Sequence, residues 1–173
     1  MSEYKINDVD FFAEANLTEP ARTDAEAYLI DGQPAYSTLE KGNRAEVTVK
    51  NPLGIQYQFV PIDYNIVIRR DNGEMESTCD GMIHYGEKRN VIFVELKDRS
   101  GKDWISKAVG QLGKTIEIFS RKHPYTSLGK KRAYAANRQH MPYHVSSSNR
   151  DLCDTFRNKF HYGLCICGTI DIR

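Results

Sequence analysis

Nothing in this chain approaches the ~20 consecutive apolar residues that a membrane-spanning helix requires. Its first residues, MSEYKINDVDFF, carry neither the basic start nor the apolar core of a secretory signal. Neither a membrane protein nor a secreted one is expected. Cysteine is scarce: four residues in 173, at positions 79, 153, 165 and 167, and no two with CxxC spacing. That is too thin for a disulfide scaffold, so reduced thiols in a cytoplasmic protein are expected. Glycine and proline, at 12 and 6, are too few for a collagenous or low-complexity chain. Internal repeats are missing, and so is the GxSxG elbow of a serine hydrolase. What is present is a hydrophobic fraction of 40% and a charged fraction of 27%. Over this length, one domain spanning residues 1–173 can bury a sizeable core.

Net charge is almost absent too, at +1, but its distribution is uneven. Residues 1–31 hold eight acids against Lys5 and Arg22, whereas residues 97–132 hold ten bases against Asp98, Asp103 and Glu117. A concentrated basic segment suits a polyanionic partner even in a neutral protein. Taken alone it equally describes a solvated surface.

Read along the chain, short helices are expected around 8–16 and 23–30, the second with Thr23 as N-cap and Glu26 completing a capping box. A hairpin follows, with strands at 45–50 and 55–60 around Asn51-Pro52-Leu53-Gly54. A second hairpin is expected from strands at 65–70 and 76–85 around Asp71-Asn72-Gly73. The run Val91–Lys97 (VIFVELK) is the strongest strand signal, and 104–119 has the apolar period of an amphipathic helix. A strand near 132–136, a helix at 150–159 capped by Asn149, and a closing strand at 162–172 complete the order. This is an α/β fold with a central mixed sheet flanked by helices, without regular βαβ alternation.

The chemistry concentrates at the end of the strongest strand. Side chains alternate along a strand, so Val91, Phe93, Glu95 and Lys97 share one face. A strand apolar on both faces belongs in a sheet interior. A carboxylate and an ammonium there cost several kcal/mol unless each finds a partner. In the preceding strand, Asp80 interrupts an otherwise apolar run. If the two strands pair through the turn at 86–90, Asp80 lies close to Glu95. A divalent cation between two such carboxylates would relieve their repulsion. An oxygen-only ligand set with room for water suits Mg²⁺, with Mn²⁺ as substitute, rather than zinc.

Asp80, fourteen intervening residues and then Glu95-Leu96-Lys97 resemble the signature of the PD-(D/E)XK nuclease superfamily. The resemblance covers roughly residues 60–136, with Cys79 standing where the superfamily name implies Pro. It implies an αβββαβ restriction-endonuclease-like core. It also implies Mg²⁺ held by Asp80 and Glu95 with help from the Leu96 carbonyl, and Lys97 assisting a water nucleophile. Gln111, at the edge of the apolar arc of the 104–119 helix, matches a Gln that many members point at the site. Lys107, Lys114 and Arg121 recur every seven residues beside it and would contact phosphates. Some members add a Glu from the first helix as a further metal contact; Glu26 fits, with Glu14 and Glu46 competing. The expected activity is Mg²⁺-dependent hydrolysis of phosphodiester bonds. DNA is the substrate expected first, endonuclease action is favoured over exonuclease action, and a homodimer is in keeping with the resemblance. The alternative is a non-catalytic module that keeps the fold and binds nucleic acid or protein.

Two other motifs compete. Ala108–Thr115 (AVGQLGKT) fits a permissive Walker A pattern, but the helical apolar period runs straight through it and no strand feeds directly into it, so a P-loop is not expected. His140 and His144 have the i,i+4 spacing of zinc ligands, but Pro142 between them disfavours the helix that would align them.

Overall fold

A computed structural model describes residues 1–98, 101, 103–138 and 147–173, and these form an α/β fold with mixed sheets and two α-helices. The chain begins with β1 (Ser2–Lys5), a 3-10 turn at Glu14–Asn16, β2 (Ala21–Arg22), β3 (Glu26–Ile30), β4 (Tyr36–Thr38) and β5 (Ala45–Lys50). It continues with β6 (Tyr57–Pro61), β7 (Ile66–Arg69), β8 (Gly81–Tyr85), β9 (Asn90–Lys97) and α1 (Trp104–Phe119). A second 3-10 turn at Tyr125–Ser127 leads to β10 (Lys131–Asn137), α2 (Ser147–Phe160), β11 (Gly163–Ile166) and β12 (Thr169–Asp171).

Six strands form the main sheet in the order β11-β10-β9-β8-β6-β2, and four form another in the order β12-β5-β3-β4. In the main sheet β6, β8 and β9 run as an antiparallel meander, while β10 and β11 join β9 in parallel. The central position of β9 explains its sequence. Val91 and Phe93 bury against Ala108, Leu112, Ile116 and Phe119 of α1, whereas Ile92, Val94 and Leu96 bury in the cluster formed with Leu29, Val47, Val49 and Ile170 of the four-stranded sheet. The main sheet is thus covered by helix on one face and by sheet on the other. Glu95 and Lys97 fall on the helix face, beneath α1.

Several expectations are corrected. The helix expected at 8–16 is a loop with one 3-10 turn. Buried Asn16 pins it by donating to the Asp10 carbonyl at 2.6 Å and to the Tyr4 hydroxyl at 3.1 Å. The helix expected at 23–30 is strand β3: Ala27–Ile30 are all buried, paired to β4 on one side and β5 on the other. Sheet pairing on both edges overrides the capping pattern of Thr23 and Glu26.

Residues 45–60 do form two strands, but not a hairpin. Asn51 folds the connection on itself, its side chain exchanging hydrogen bonds with both backbone groups of Ile55. The chain then crosses from the four-stranded sheet to the main one. The turn after β7 is present, closed by Gly73 N–H donating to the Arg70 carbonyl at 2.9 Å, but pairing stops near Glu76. β7 pairs instead with β1 in parallel, and β8 with β6 and β9. The closing strand divides at Gly168, sending β11 to one sheet and β12 to the other. Asn149 lies within α2 rather than ahead of it.

Candidate active site

The β8–β9 pairing assembles the site. Three successive residues with positive φ, Gly86, Glu87 and Lys88, reverse the chain, and the register Gly81↔Val94 sets Asp80 beside Glu95. The Asp80 N–H donates to Glu95 Oε2 at 3.1 Å, and the Leu96 N–H donates to Asp80 Oδ2 at 2.6 Å. Gly81 permits this approach: a Cβ there would sit 2.4 Å from the Phe59 ring and 2.9 Å from the Val60 carbonyl.

Helix α1 holds the other half. Lys97 Nζ donates to Gln111 Oε1 at 2.9 Å and forms an ion pair with Glu95 Oε1. The Gln111 amide donates in turn to the Thr78 carbonyl at 3.0 Å. One turn later, buried Thr115 accepts from the Cys79 N–H at 2.8 Å while donating to the Gln111 carbonyl at 2.9 Å. The segment leading into Asp80 is therefore fastened to the same helix that orients Lys97. Cys79 is fully buried and its thiol is pushed well up, chiefly by burial and then by the Glu95 charge, so it serves as an apolar filler.

These side chains border a cleft of about 580 Å³. Lys107, Gly110, Gln111 and Lys114 supply its α1 wall, and Asp31 and Asp63 line it as well. Asp31 follows β3 and Asp63 follows β6. Hydrogen bonds from the Ile62 N–H to the Asp80 carbonyl (2.8 Å) and from the Asp63 N–H to the Cys79 carbonyl (3.3 Å) extend β6 alongside the site. Gln33 donates to the Tyr64 hydroxyl at 3.1 Å, tying the two acid-bearing loops together.

The electrostatics are frustrated. Glu95 is 1% exposed, and its carboxyl is held well above the usual range, first by burial and then by the Asp80 charge, against the pull of Lys97. Asp80 is pushed up to about 6, first by burial, with the Asp31 and Asp63 charges adding to it and the Leu96 hydrogen bond and Lys97 opposing. Asp63 is also raised, mainly by burial. Among the described residues, Lys97 is the cation that opposes the rise at all three carboxylates, Asp63, Asp80 and Glu95.

The chain matches no family model, no curated protein and no solved structure.

Asp80, Glu95, Leu96, Lys97 and Gln111 thus come together, and Lys107 and Lys114 border the same cleft. Arg121 does not join them: its guanidinium donates to the Ile6 carbonyl at 3.2 Å and to the Asn7 side chain, clasping the N-terminal segment. Glu14, Glu26 and Glu46 are also elsewhere. Glu26 accepts from the Tyr28 hydroxyl at 2.7 Å. Glu46 is buried beneath the Asp31 N–H (2.7 Å) and is raised to about 7 by that burial. Besides Asp80 and Glu95, the acids lining the cleft are Asp31, Asp63 and Glu76, the last paired with Arg70 at 2.9 Å, and none of the three stands out in the sequence. The Walker-like stretch 108–115 is continuous helix within α1, with Lys114 exposed. His140 and His144 lie outside the described residues.

The donor set fits a hard divalent cation. Among the described residues, no three His, Cys, Asp or Glu side chains converge as a ready cage. An ion held by Asp80 and Glu95 would complete its shell with carbonyl, water and substrate oxygens, as Mg²⁺ commonly does. Its charge would offset the burial and the neighbouring negative charge that lift both carboxyls.

Proposed function

We propose that this protein is a Mg²⁺-dependent nuclease that hydrolyses phosphodiester bonds, with DNA as the first substrate to test. The observation that carries the reading is the closed group formed by Asp80, Glu95, Lys97 and Gln111 at the end of β9. Two carboxylates, an ammonium and a positioning amide meet in a cleft whose α1 wall is basic. The main-sheet order β6, β8, β9 and β10, with α1 between the last two, supports it too. With β7 paired to β1 outside that sheet, it corresponds to the βββαβ part of the core that the Asp80/Glu95/Lys97 signature implies, while loop and strand stand where that core has its first helix.

A bound cation would lower the pKa of an attacking water and neutralise the scissile phosphate. The protein's own part is orientation. Leu96 N–H and the β8–β9 register hold Asp80, the Asp80 N–H holds Glu95, and Gln111 anchors the Lys97 ammonium where a water or phosphate oxygen would meet it. Lys107 and Lys114 would take the flanking phosphates.

The test is incubation with supercoiled, linear, single-stranded and branched DNA, and with RNA, with and without Mg²⁺ or Mn²⁺. Metal-dependent cleavage that Glu95→Gln abolishes is the expected result. Tight binding with no cleavage under any condition would instead identify a non-catalytic binding module.

A further inference from the structure

Helix α1 carries two glycines, and packing explains only one of them. Gly113 is buried, and a Cβ there would come within 2.6 Å of the Phe160 ring, so α2 requires the space. Gly110 is exposed, and a Cβ there would meet no atom of the described residues within 4 Å. Its backbone is ordinary helix, not the left-handed conformation that calls for glycine. Glycine inside a helix is disfavoured relative to alanine because it loses more backbone freedom on folding. Among the described residues, neither packing nor backbone conformation therefore accounts for it.

Its neighbours suggest what does. Lys107, Gly110, Gln111 and Lys114 recur at i, i+3, i+4 and i+7, which places them on one face of α1, and all four border the cleft that holds Asp80 and Glu95. Among the described residues, the two lysines form ion pairs with exposed acids of their own helix region, Asp103 at 2.8 Å and Glu117 at 3.8 Å. Exposed pairs of that kind are weak, so both ammoniums can turn to a phosphate.

We infer that Gly110 marks a backbone subsite, where a polynucleotide strand crosses α1 between Lys107 and Lys114 at a distance that a Cβ would prevent. The subsite takes sugar-phosphate, not bases: two point-charge donors flank a bare stretch of helix, which positions a strand without reading its sequence. The inference rests on the nuclease reading and adds to it the path of the substrate.

Gly110→Ala tests it because the fold and the ligand demand opposite signs. Binding of a labelled DNA duplex and of its single strand is measured by fluorescence anisotropy across a salt series, in the Glu95→Gln background so that substrate is not consumed. The substitution should raise Tm by about 2–4 °C, as expected for Gly to Ala in an exposed helix of a domain this size. It should weaken binding by about tenfold and flatten the log–log salt dependence by about one unit. Unchanged affinity and slope would overturn the subsite and leave the nuclease reading standing. Lost binding with a lower Tm would assign Gly110 to the fold and overturn it as well. A Glu95→Gln parent that binds no polynucleotide, with a wild-type protein that cleaves none, would overturn both.

Discussion

Asp80→Asn should make the protein more stable at neutral pH in the absence of metal, although it removes a central residue of the site. The Asp80 carboxyl is raised to about 6 in the folded protein, against about 3.9 in an unfolded chain. A group that binds its proton more tightly when folded favours the fold at low pH. That contribution is complete below the unfolded value and is lost as pH rises through about 6. A shift of roughly two units corresponds to about 3 kcal/mol, and the part of Asp80 open to the cleft reduces this to about 2 kcal/mol. Asn keeps an oxygen for the Leu96 N–H, so the substitution removes the charge and leaves the hydrogen bond. For a domain of this size the gain is a Tm increase of about 4–8 °C. Thermal melts in EDTA from pH 5 to 8 measure it, and the difference between variant and wild type should shrink toward the acidic end. Adding Mg²⁺ should then stabilise the wild type, by about 2.7 kcal/mol at a hundredfold excess over Kd, and leave the variant unmoved. An Asp80→Asn protein that melts at or below the wild type at pH 7.5, with the same pH profile, would refute the frustrated-carboxylate account.

Glu95→Gln and Lys97→Met should each lower metal-dependent cleavage by at least about a hundredfold, read in single-turnover assays with circular dichroism confirming the fold. Gln111→Ala, which frees the Lys97 ammonium, should cost about tenfold in kcat with little change in KM. Lys107→Ala and Lys114→Ala should each reduce the salt slope of DNA binding by about one unit, whereas Arg121→Ala should leave the slope unchanged and lower Tm, because Arg121 clasps Ile6 and Asn7. Gly113→Ala should destabilise the fold by about 1–3 kcal/mol in urea titrations, since the new methyl meets the Phe160 ring.

The parts of the site legible in the sequence are those that depend on local pattern. Val91–Lys97 announces a strand buried on both faces, 104–119 announces a helix, and the short turn at 86–90 leaves Asp80 little choice but to face Glu95. Gln111 is legible for the same reason, one helical edge from the apolar arc. Asp31 and Asp63 are not, because what delivers them is non-local: β6 extending past Asp80, and a second sheet stacking on the first. Glu26–Ile30 shows the limit of periodicity. Five residues with a continuous apolar run satisfy a helix turn or a strand equally well, and only the partners β4 and β5 decide between them. Arg121 keeps the seven-residue spacing of Lys107 and Lys114, yet helix period fixes only a face. It does not say which stretch of that face meets the cleft and which meets the N-terminal loop.

The sheet order has a consequence for how the molecule is made. Glu95, Lys97 and Gln111 lie within a few dozen residues of Asp80, in a meander and the helix after it, so this group of side chains can form from contacts of short sequence separation as soon as α1 has been synthesised. Asp31 sits instead at the end of β3, in a second sheet whose edge strand β12 joins β5 only by pairing Thr169 with Thr48 across most of the chain. Pairings of such separation carry a large loop-closure cost and are slow. The four-stranded sheet that carries Asp31 should therefore be completed last at its β12 edge. Hydrogen exchange during refolding should protect β8, β9 and α1 before β12.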